Sequence, residues 1–256
     1  MFLEVCVDSM ESVIAAVKGG ADRLEVCSSL VIGGLTPSLT LFLDAQKIGD
    51  LAEGGKKKTA VNVMLRPRFG DFLYSASEKE EIMDAASMFM HLPDGVVVGA
   101  LDSEGRLDAR FLAKVIAHGE GKISHTLHRA FDLSRDPFEA LETAIDLGFD
   151  TILTSGQASS ALKGVDLLKE LNERAAGRIT ILCGAGVNAE NIPAIHGKTG
   201  ITHYHASAKT VVDSGMKFRR EGVPMGLPGI SEYEIWRTDE GKVRAMREVL
   251  DACGGK

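Results

Sequence analysis

The sequence predicts a (β/α)8 TIM barrel, formed by a single domain that spans residues 1–256. Short apolar segments alternate with amphipathic segments along the whole chain, an order typical of parallel βαβ units. Eight such units fit a length of 256 residues, the usual size of a TIM barrel. The rival architecture is a doubly wound open sheet, but no Gly-x-Gly-x-x-Gly motif follows the first predicted strand, where a dinucleotide site needs it.

Eight short apolar runs supply the predicted strands. They cover residues 2–7, 23–27, 60–66, 95–101, 124–130, 151–155, 179–183 and 202–206. The helical patterns include residues 10–17, 78–90, 109–117, 137–147, 161–174 and 232–251. The longest irregular stretch, residues 209–229, follows the eighth strand, where a barrel keeps its lids and binding loops.

Local signals predict several helix ends. The segment from Asp8 to Glu11 has the spacing of a capping box, which indicates a helix start. Asp136 stands before a proline in the first turn of another predicted helix. Gly20 and Gly148 each close a helical pattern at the C-terminal cap position and lead into a strand.

The composition indicates an acidic intracellular protein. Lys and Arg number 29 against 36 Asp and Glu, and the net charge of −7 argues against nucleic acid or an anionic membrane as the main partner. No apolar run is long enough to cross a bilayer, and no signal-peptide pattern precedes Glu4. Four cysteines at irregular spacing do not suggest a disulfide framework, so we expect reduced thiols and a cytoplasmic location. The lysine-rich run at 53–58 is interpreted as a solvated loop.

Alternation along the predicted strands places polar side chains inside the barrel. In the first strand, Leu3, Val5 and Val7 face the surrounding helices, so the residues between them face inward. The residues grouped on such polar faces are Glu4, Cys6, Asp8, Arg23, Glu25, Cys27, Asn62, Met64, Arg66, Thr126, His128, His203, His205 and Ser207. Branched apolar residues dominate ordinary barrel interiors, and buried charges are costly unless they are paired. The polar interior is therefore either a structural ion-pair network or a ligand site at the C-terminal mouth. The alternation of side chains along the strands does not distinguish the two.

Two cysteines occupy equivalent positions in a repeated Leu-Glu-Val-Cys sequence. The two copies end at Cys6 and Cys27, on the first and second predicted strands. Neighbouring strands lie about 4.8 Å apart, so two thiolates there suit a low-coordinate Cu(I), with Met64 as a soft neighbour. The same placement also fits two small core residues, a disulfide, or a catalytic thiol with His128 or His205 as its base. The residues alone leave these interpretations open.

A second set of signals predicts an enzyme site for a small anionic or phosphorylated metabolite. The glycine-rich run from Gly184 follows the seventh strand, and barrels often bind phosphate with the loops after strands seven and eight. His128 ends the fifth strand near a carboxylate, a position suited to acid–base work. The predicted catalytic residues are Glu25, Arg66, His128 and Asp132. The predicted substrate-binding residues are Thr154, Ser155, Gly184, Gly186, His205 and Ser207.

Several motifs together make the sequence resemble the CutC copper homeostasis family. They are Met64-Leu65-Arg66-Pro67-Arg68 with Asp71-Phe72-Leu73-Tyr74, His128-Arg129-Ala130-Phe131-Asp132, Leu153-Thr154-Ser155-Gly156, Gly33-Gly34-Leu35-Thr36-Pro37-Ser38 and Ser214-Gly215-Met216-Lys217-Phe218-Arg219. The resemblance implies a (β/α)8 barrel, a cytoplasmic location, copper binding or trafficking, and self-association as a dimer or tetramer. It also favours Cys6 and Cys27 as Cu(I) ligands, because both match positions of the family.

The leading hypothesis is therefore a cytoplasmic copper homeostasis protein that binds Cu(I) through Cys6 and Cys27. The alternative is a TIM-barrel enzyme that acts on a small anionic or phosphorylated metabolite at the C-terminal mouth of the barrel. A third hypothesis is a scaffold or storage protein without a dedicated site. None of the three involves a membrane or nucleic acid.

Overall fold

Eight parallel strands form a closed barrel. The computed structural model describes residues 1–50, 59–89, 92–119 and 123–255. The strands follow one another around the barrel in sequence order, and the eighth pairs with the first to close it. An α-helix follows each strand, so the predicted (β/α)8 barrel is confirmed. No helix within these described ranges is long and apolar enough to cross a membrane.

The barrel strands are short. They are β1 (Phe2–Val7), β2 (Arg23–Val26), β3 (Ala60–Met64), β4 (Gly95–Val98), β5 (Ser124–Leu127), β6 (Thr151–Thr154), β7 (Thr180–Cys183) and β8 (His203–Ala206). The helices are α1 (Met10–Gly19), α2 (Leu39–Asp50), α3 (Ala76–Met88), α4 (Ala109–His118), α5 (Pro137–Leu147), α6 (Val165–Ala175), α7 (Ile192–Thr199) and α8 (Glu240–Gly254). A separate antiparallel pair, β9 (Lys209–Asp213) and β10 (Glu234–Thr238), lies between β8 and α8 in the chain.

Several strands end earlier than the sequence predicts. The run at 124–130 ends its ladder at Leu127, because the His128 side chain accepts a hydrogen bond from the Ala130 N–H at 3.1 Å and the chain enters a 3-10 turn. The run at 60–66 ends at Met64, and the backbone of Arg66 pairs with Thr36 instead of a neighbouring strand. Alternation of polar and apolar residues indicates which side chains are buried. Burial continues past the last hydrogen bond between strands, so the alternation overestimates strand length.

The prediction of a helix at 232–251 is wrong in its first third. Residues Glu234–Thr238 form β10, and helix α8 begins only after Asp239, whose side chain accepts from the Lys242 N–H at 2.9 Å. The stretch at 209–229 correspondingly begins with strand β9 and is not irregular throughout. The predicted lysine-rich loop at 53–58 and residue 90 of the helix predicted at 78–90 lie outside the described residues.

The predicted helix caps are confirmed except at the first helix. Asp136 accepts from two backbone N–H groups at the start of α5, and Gly20 and Gly148 adopt the left-handed conformation with φ of 96° and 87°. Helix α1 is capped by Ser9 and not by Asp8. The Asp8 carboxylate instead accepts a hydrogen bond from the Leu30 N–H at 3.1 Å, in the segment that follows the neighbouring strand β2.

Strand register determines which inward side chains meet. Leu3, Val5 and Val7 are fully buried in the main apolar core, as the parity of β1 predicts. On the opposite face of β1, Glu4 pairs in register with residues of both neighbouring strands, Arg23 on β2 and His205 on β8. Two residues further along β1, Cys6 pairs in register with Glu25. The closing seam of the barrel therefore brings together carboxylates, a thiol, a guanidinium and an imidazole.

Candidate functional site

Glu4 forms the base of the polar interior. Its side chain is fully buried and forms ion pairs with Arg23 Nε and with His205, whose Nδ1 lies 2.7 Å from Glu4 Oε1. Burial alone raises the pKa of this carboxyl, but the charge of Arg23 and the hydrogen bond and charge of His205 outweigh it and lower the pKa from 4.5 to about 2. Glu4 is therefore an ionised carboxylate held between two basic groups.

Cys6, Glu25 and His205 converge directly above Glu4. One potential ligand atom from each of these three buried residues lies within 4.8 Å of the other two. His205 Nε2 is 3.9 Å from Glu25 Oε2, and the Cys6 thiol lies 3.8 Å from the Ala206 carbonyl oxygen. A thiol, a carboxylate and an imidazole in this arrangement can bind a metal ion or exchange protons with a ligand.

The protonation of this cluster changes close to neutral pH. Burial raises the pKa of the Glu25 carboxyl from 4.5 to about 7; His205 opposes this shift and the charge of Glu4 adds to it. Burial by itself lowers the pKa of His205, but Cys6, Glu25 and the hydrogen bond to Glu4 raise it well above 6.5. Glu25 is consequently able to take up and release a proton near neutrality.

The contact with Glu4 fixes how His205 presents its ring. An ionised carboxylate only accepts hydrogen bonds, so Nδ1 of His205 carries a proton and donates it to Glu4. The second ring nitrogen, Nε2, is then directed to the side of the cluster that contains Glu25. Histidine ligands of metals are commonly oriented in this way, with a carboxylate on one nitrogen and the metal on the other.

Cys27 lies next to this cluster but in a more apolar setting. It is fully buried among Met64, Val97 and Leu30, and its Sγ lies 3.5 Å from Glu25 Oε2. Burial, together with the nearby Glu25 charge, raises the pKa of the Cys27 thiol well above 9.0. In the register of β1 and β2, Cys6 pairs with Glu25, two residues before Cys27. Both thiols are free, and Glu25 lies next to each of them.

A cavity of about 450 Å³ opens above the cluster at the C-terminal mouth of the barrel. The predicted site residues on its wall are Cys6, Glu25, Arg66, His128, Asp132, His205 and Ser207. The predicted site residues that do not line it are Cys27, Thr154, Ser155, Gly184 and Gly186. The wall thus combines the predicted catalytic residues with one of the two predicted metal ligands, Cys6.

Arg66 and His128 form the part of the wall supplied by the segments that follow β3 and β5. Arg66 donates from Nη1 to the Gly34 carbonyl at 3.2 Å and from Nη2 to the Gly70 carbonyl at 3.0 Å. The Phe72 ring contacts both side chains: its centre is 5.0 Å from the Arg66 guanidinium carbon and 4.8 Å from the His128 ring centre. These contacts hold two nitrogen-bearing side chains in fixed positions at the mouth.

Asp132 is engaged in structural hydrogen bonds. Its carboxylate accepts from Thr154 Oγ1 at 2.5 Å, from both the N–H and Oγ of Ser155, and from Arg129 Nε at 2.7 Å. Thr154 and Ser155 are fully buried, so their hydroxyls bind Asp132 and not the cavity. This network joins the turn after β5 to the loop after β6, while the catalytic role of Asp132 stays a prediction.

The glycines after β7 lie beside the cavity and not on its wall. Gly184 packs so closely that a Cβ there would lie 2.6 Å from Leu153 Cδ1, which explains the absence of a side chain. Gly186 has a φ of 74°, and its carbonyl accepts from the Asn191 side chain at 2.8 Å. These contacts account for both glycines through packing and turn geometry, and their role in phosphate binding stays a prediction.

The sequence interpretation did not select the β9–β10 pair as part of the site. Lys209, Trp236, Arg237 and Thr238 all line the cavity, and Lys209 Nζ lies 3.8 Å from the centre of the Trp236 ring. The β-branched residues in these two segments were the available signal for strands, as in Thr210-Val211-Val212. The pair covers one side of the barrel mouth with an aromatic ring and two basic groups.

The chain is a closed (β/α)8 barrel protein with a buried thiol, carboxylate and imidazole below a mouth cavity, at the end of the barrel where this fold usually carries its functional sites. A family model described as the CutC family matches residues 1–210, and the chain belongs to this family. A CutC family protein from Bacteroides fragilis is 46% identical over 233 residues, 90% of each chain. The human protein named copper homeostasis protein cutC homolog is 43% identical over 249 residues, 96% of this chain and 88% of its own length.

Solved structures support the same assignment. The crystal structure of CutC from Streptococcus agalactiae superposes with a TM-score of 0.74 at 28% identity, covering 81% of this chain and 98% of that one. Phosphoribosylanthranilate isomerase from Thermotoga maritima gives a TM-score of 0.55 at 12% identity, covering 98% of this chain and 99% of that one. At that identity the second likeness shows the barrel fold alone.

Proposed function

We propose that this protein binds Cu(I) at the base of the mouth cavity, with the Cys6 and Cys27 thiolates as ligands and His205 Nε2 as a third. The supporting observation is the convergence of ligand atoms: those of Cys6, Glu25 and His205 lie within 4.8 Å of one another, and Cys27 Sγ lies 3.5 Å from Glu25. The copper homeostasis name of the human relative points to the same metal.

The chemistry of these donors fits Cu(I) better than a hard cation. Thiolates and imidazoles prefer soft or borderline metals, whereas hard cations prefer a shell of oxygen ligands. Met64 and Val97 surround Cys27, so a metal bound there is shielded from water. With Glu4 on its Nδ1, His205 has one nitrogen available for a metal.

Metal binding in this site displaces protons. Thiols bind Cu(I) as thiolates, and imidazole binds through an unprotonated nitrogen. Glu25, with its pKa of about 7, lies next to both donors and is the group in the cluster suited to accept such a proton and pass it to the cavity. In this proposal, Glu25 assists loading and is not a Cu(I) ligand.

Competition with a chromogenic Cu(I) chelator, under anaerobic reducing conditions, tests the proposal. We expect the wild type to withdraw about one equivalent of Cu(I) and the Cys6→Ser/Cys27→Ser double variant to withdraw none. The Cys253→Ser variant is a matched control, because Cys253 lies in α8 outside the cavity lining. Single variants separate the contributions of the two thiols, and equal uptake by the wild type and the double variant would refute Cu(I) binding through these cysteines.

A second candidate function is an enzyme that acts on a small anionic metabolite in the same cavity. The observation that favours it is the Glu25 carboxyl, which has a pKa of about 7 and faces a cavity of about 450 Å³. Incubation with pools of phosphorylated and carboxylated metabolites in D2O, followed by proton NMR, would reveal turnover or C–H exchange. We expect Glu25→Gln to reduce such turnover by about 100-fold or more and the exposed-site control Glu190→Gln to retain it; no turnover of any compound would count against this candidate.

We further propose a cytoplasmic location and a homo-oligomer, a dimer or tetramer, on the strength of the family resemblance. Subcellular fractionation and sedimentation velocity of the full chain test these two points. Recovery in the membrane fraction, or a monomer at micromolar concentration, would contradict them.

A further inference from the structure

Two buried nitrogen atoms on the cavity wall have no hydrogen-bond partner among the described residues. They are Nε of Arg66 and Nε2 of His128, in side chains whose residues are only 7% and 3% exposed. An unpaired buried donor is energetically costly, and native proteins rarely contain one. Both residues line the cavity, which is large enough for a small molecule.

The hydrogen bonding of His128 establishes that Nε2 is a donor. The Ala130 N–H donates to His128 Nδ1 at 3.1 Å, and a backbone N–H cannot accept, so Nδ1 carries no proton. Burial and the charge of Arg66 lower the pKa of His128 to about 3, which keeps the ring neutral at pH 7. The single proton of the neutral ring therefore resides on Nε2, which has no hydrogen-bond partner among the described residues.

The positions of both donors are fixed by their surroundings. Arg66 donates from Nη1 and Nη2 to the carbonyls of Gly34 and Gly70, while its Nε has no hydrogen-bond partner among the described residues. A Cβ on Gly99 would lie 2.6 Å from the His128 ring, so the ring sits directly against the backbone of the segment after β4. The Phe72 ring packs against both side chains. Both side chains are therefore held in place beside the cavity.

We propose that the cavity binds a small organic oxyanion, one of whose carboxylate or phosphate oxygens accepts hydrogen bonds from Arg66 Nε and His128 Nε2. The remainder of the ligand is apolar and lies against Leu30, Leu153 and Trp236, which line the same cavity. This inference rests on the second candidate function, because both place a small anionic ligand in the same cavity. It adds the chemical class of the ligand and the groups that bind it. It is independent of copper.

The charge of the wall favours an anion in a protein that is acidic overall. The basic residues among the described lining are Arg66, Arg129, Lys209 and Arg237, and the acidic ones are Asp8, Glu25 and Asp132. Asp132 is paired with Arg129, which leaves three basic side chains against two acidic ones. The mouth thus has an excess of positive charge although the chain has a net charge of −7, which concentrates anions at this opening.

Calorimetric titration with three matched probes tests the proposal without requiring turnover. Phenylacetate and phenyl phosphate supply the two kinds of oxyanion on the same apolar ring, and phenylacetamide is the neutral control. We expect the better-bound anion to bind at least about tenfold more tightly than the amide, the effect of one charge-assisted hydrogen bond or more. A preference for phenyl phosphate identifies a phosphate site, and a preference for phenylacetate identifies a carboxylate site.

Two substitutions of His128 separate hydrogen bonding from folding. The Asn side chain in His128→Asn retains an acceptor for the Ala130 N–H but lacks the Nε2–H donor, whereas His128→Gln retains an amide donor near the Nε2 position. We expect about tenfold weaker anion binding in His128→Asn, partial recovery in His128→Gln, and no change in the exposed-site control Arg110→Gln on α4. In a ¹⁵N-labelled sample, the Nε2 resonance of His128 should shift on addition of the anion.

Three outcomes would overturn the proposal: equal affinity for acid and amide, unchanged anion binding in a folded His128→Asn variant, or an Nε2 resonance that does not respond. Cu(I) uptake and anion binding are measured separately on the wild-type protein, so failure of Cu(I) binding and failure of anion binding are observed separately. Likewise, anion binding without turnover supports this inference while it counts against the enzyme.

Discussion

The carboxylate of Glu4 and the imidazole of His205 meet across the seam where the barrel closes, with Oε1 2.7 Å from Nδ1. The two residues are 201 positions apart in sequence and pair in register on β1 and β8. Arg23 binds the second oxygen of the same carboxylate from the other neighbouring strand. One buried carboxylate thus joins three strands and orients the histidine that faces the site.

We predict that Glu4→Gln lowers the free energy of unfolding by about 3 kcal/mol, because it leaves Arg23 and His205 without their buried counter-charge. The same change should weaken Cu(I) binding by about 10- to 100-fold through misorientation of His205. Urea unfolding and chelator competition measure the two effects. The exposed pair of Glu142 with Arg178 is the matched control, and Glu142→Gln should cost less than about 1 kcal/mol. Equal losses in the two variants would contradict the role given to Glu4.

Asp132 provides a test of structural against catalytic function. Its carboxylate accepts from Arg129 and from donors of the loop after β6, including Thr154 and Ser155. We predict that Asp132→Asn destabilises the fold by about 2–3 kcal/mol, because at either oxygen position the new NH2 would face a group that can only donate, the Gln157 N–H or the Arg129 guanidinium. Asp213→Asn, which removes an exposed ion pair with Arg219, should change stability by less than about 1 kcal/mol. An Asp132→Asn variant of wild-type stability would contradict the structural role.

Gly99 keeps His128 in place through the absence of a side chain. A Cβ there would lie 2.6 Å from the His128 ring and 2.9 Å from Ala130 Cβ, and the Phe72 ring on the cavity side limits how far His128 can move. We predict that Gly99→Ala lowers the free energy of unfolding by about 2 kcal/mol. Gly197→Ala is the control: a Cβ at this position inside helix α7 would meet nothing within 4 Å, so this change should stabilise the protein by up to about 1 kcal/mol. Thermal unfolding of both variants measures whether Gly99→Ala destabilises the protein and Gly197→Ala stabilises it.

The fold follows from local regularities of the sequence, which is why it could be predicted. Apolar alternation along β1 requires an inward face of Glu4 and Cys6, and that face is observed. The position of an inward side chain along the barrel axis has no such local signal, because it depends on the stagger between strands. Register pairs Cys6 with Glu25 and offsets it from Cys27, a relation that equal positions in a repeated tetrapeptide do not reveal.

The remaining errors lie where tertiary contacts override local pattern. Residues 232–238 have a helical pattern, yet β10 pairs with β9 and contributes Trp236 to the cavity. Thr154 and Ser155 stand at a strand end, as site residues do, but their hydroxyls are taken up by Asp132 from the preceding loop. Such competition between partners depends on loops that converge from separate parts of the chain, and the sequence does not encode it locally.

The neutral state of His128 makes stability depend on pH in a defined direction. Burial, with the charge of Arg66, lowers the folded-state pKa of His128 from 6.5 to about 3. Between pH 3 and pH 6.5 the unfolded chain binds a proton at His128 and the folded chain does not. The stability contributed by the neutral ring is therefore complete above pH 6.5 and is lost as the pH falls toward 3. The slope approaches about 1.4 kcal/mol per pH unit.

His128→Asn has no such titration, so its stability deficit relative to the wild type should shrink steadily between about pH 6.5 and about pH 4.5. Urea unfolding of both proteins at half-unit steps measures this difference, which isolates His128 from Glu25 and other groups common to both. Parallel stability profiles would show that the folded and unfolded chains bind a proton at His128 equally, which would contradict the neutral ring in the folded protein.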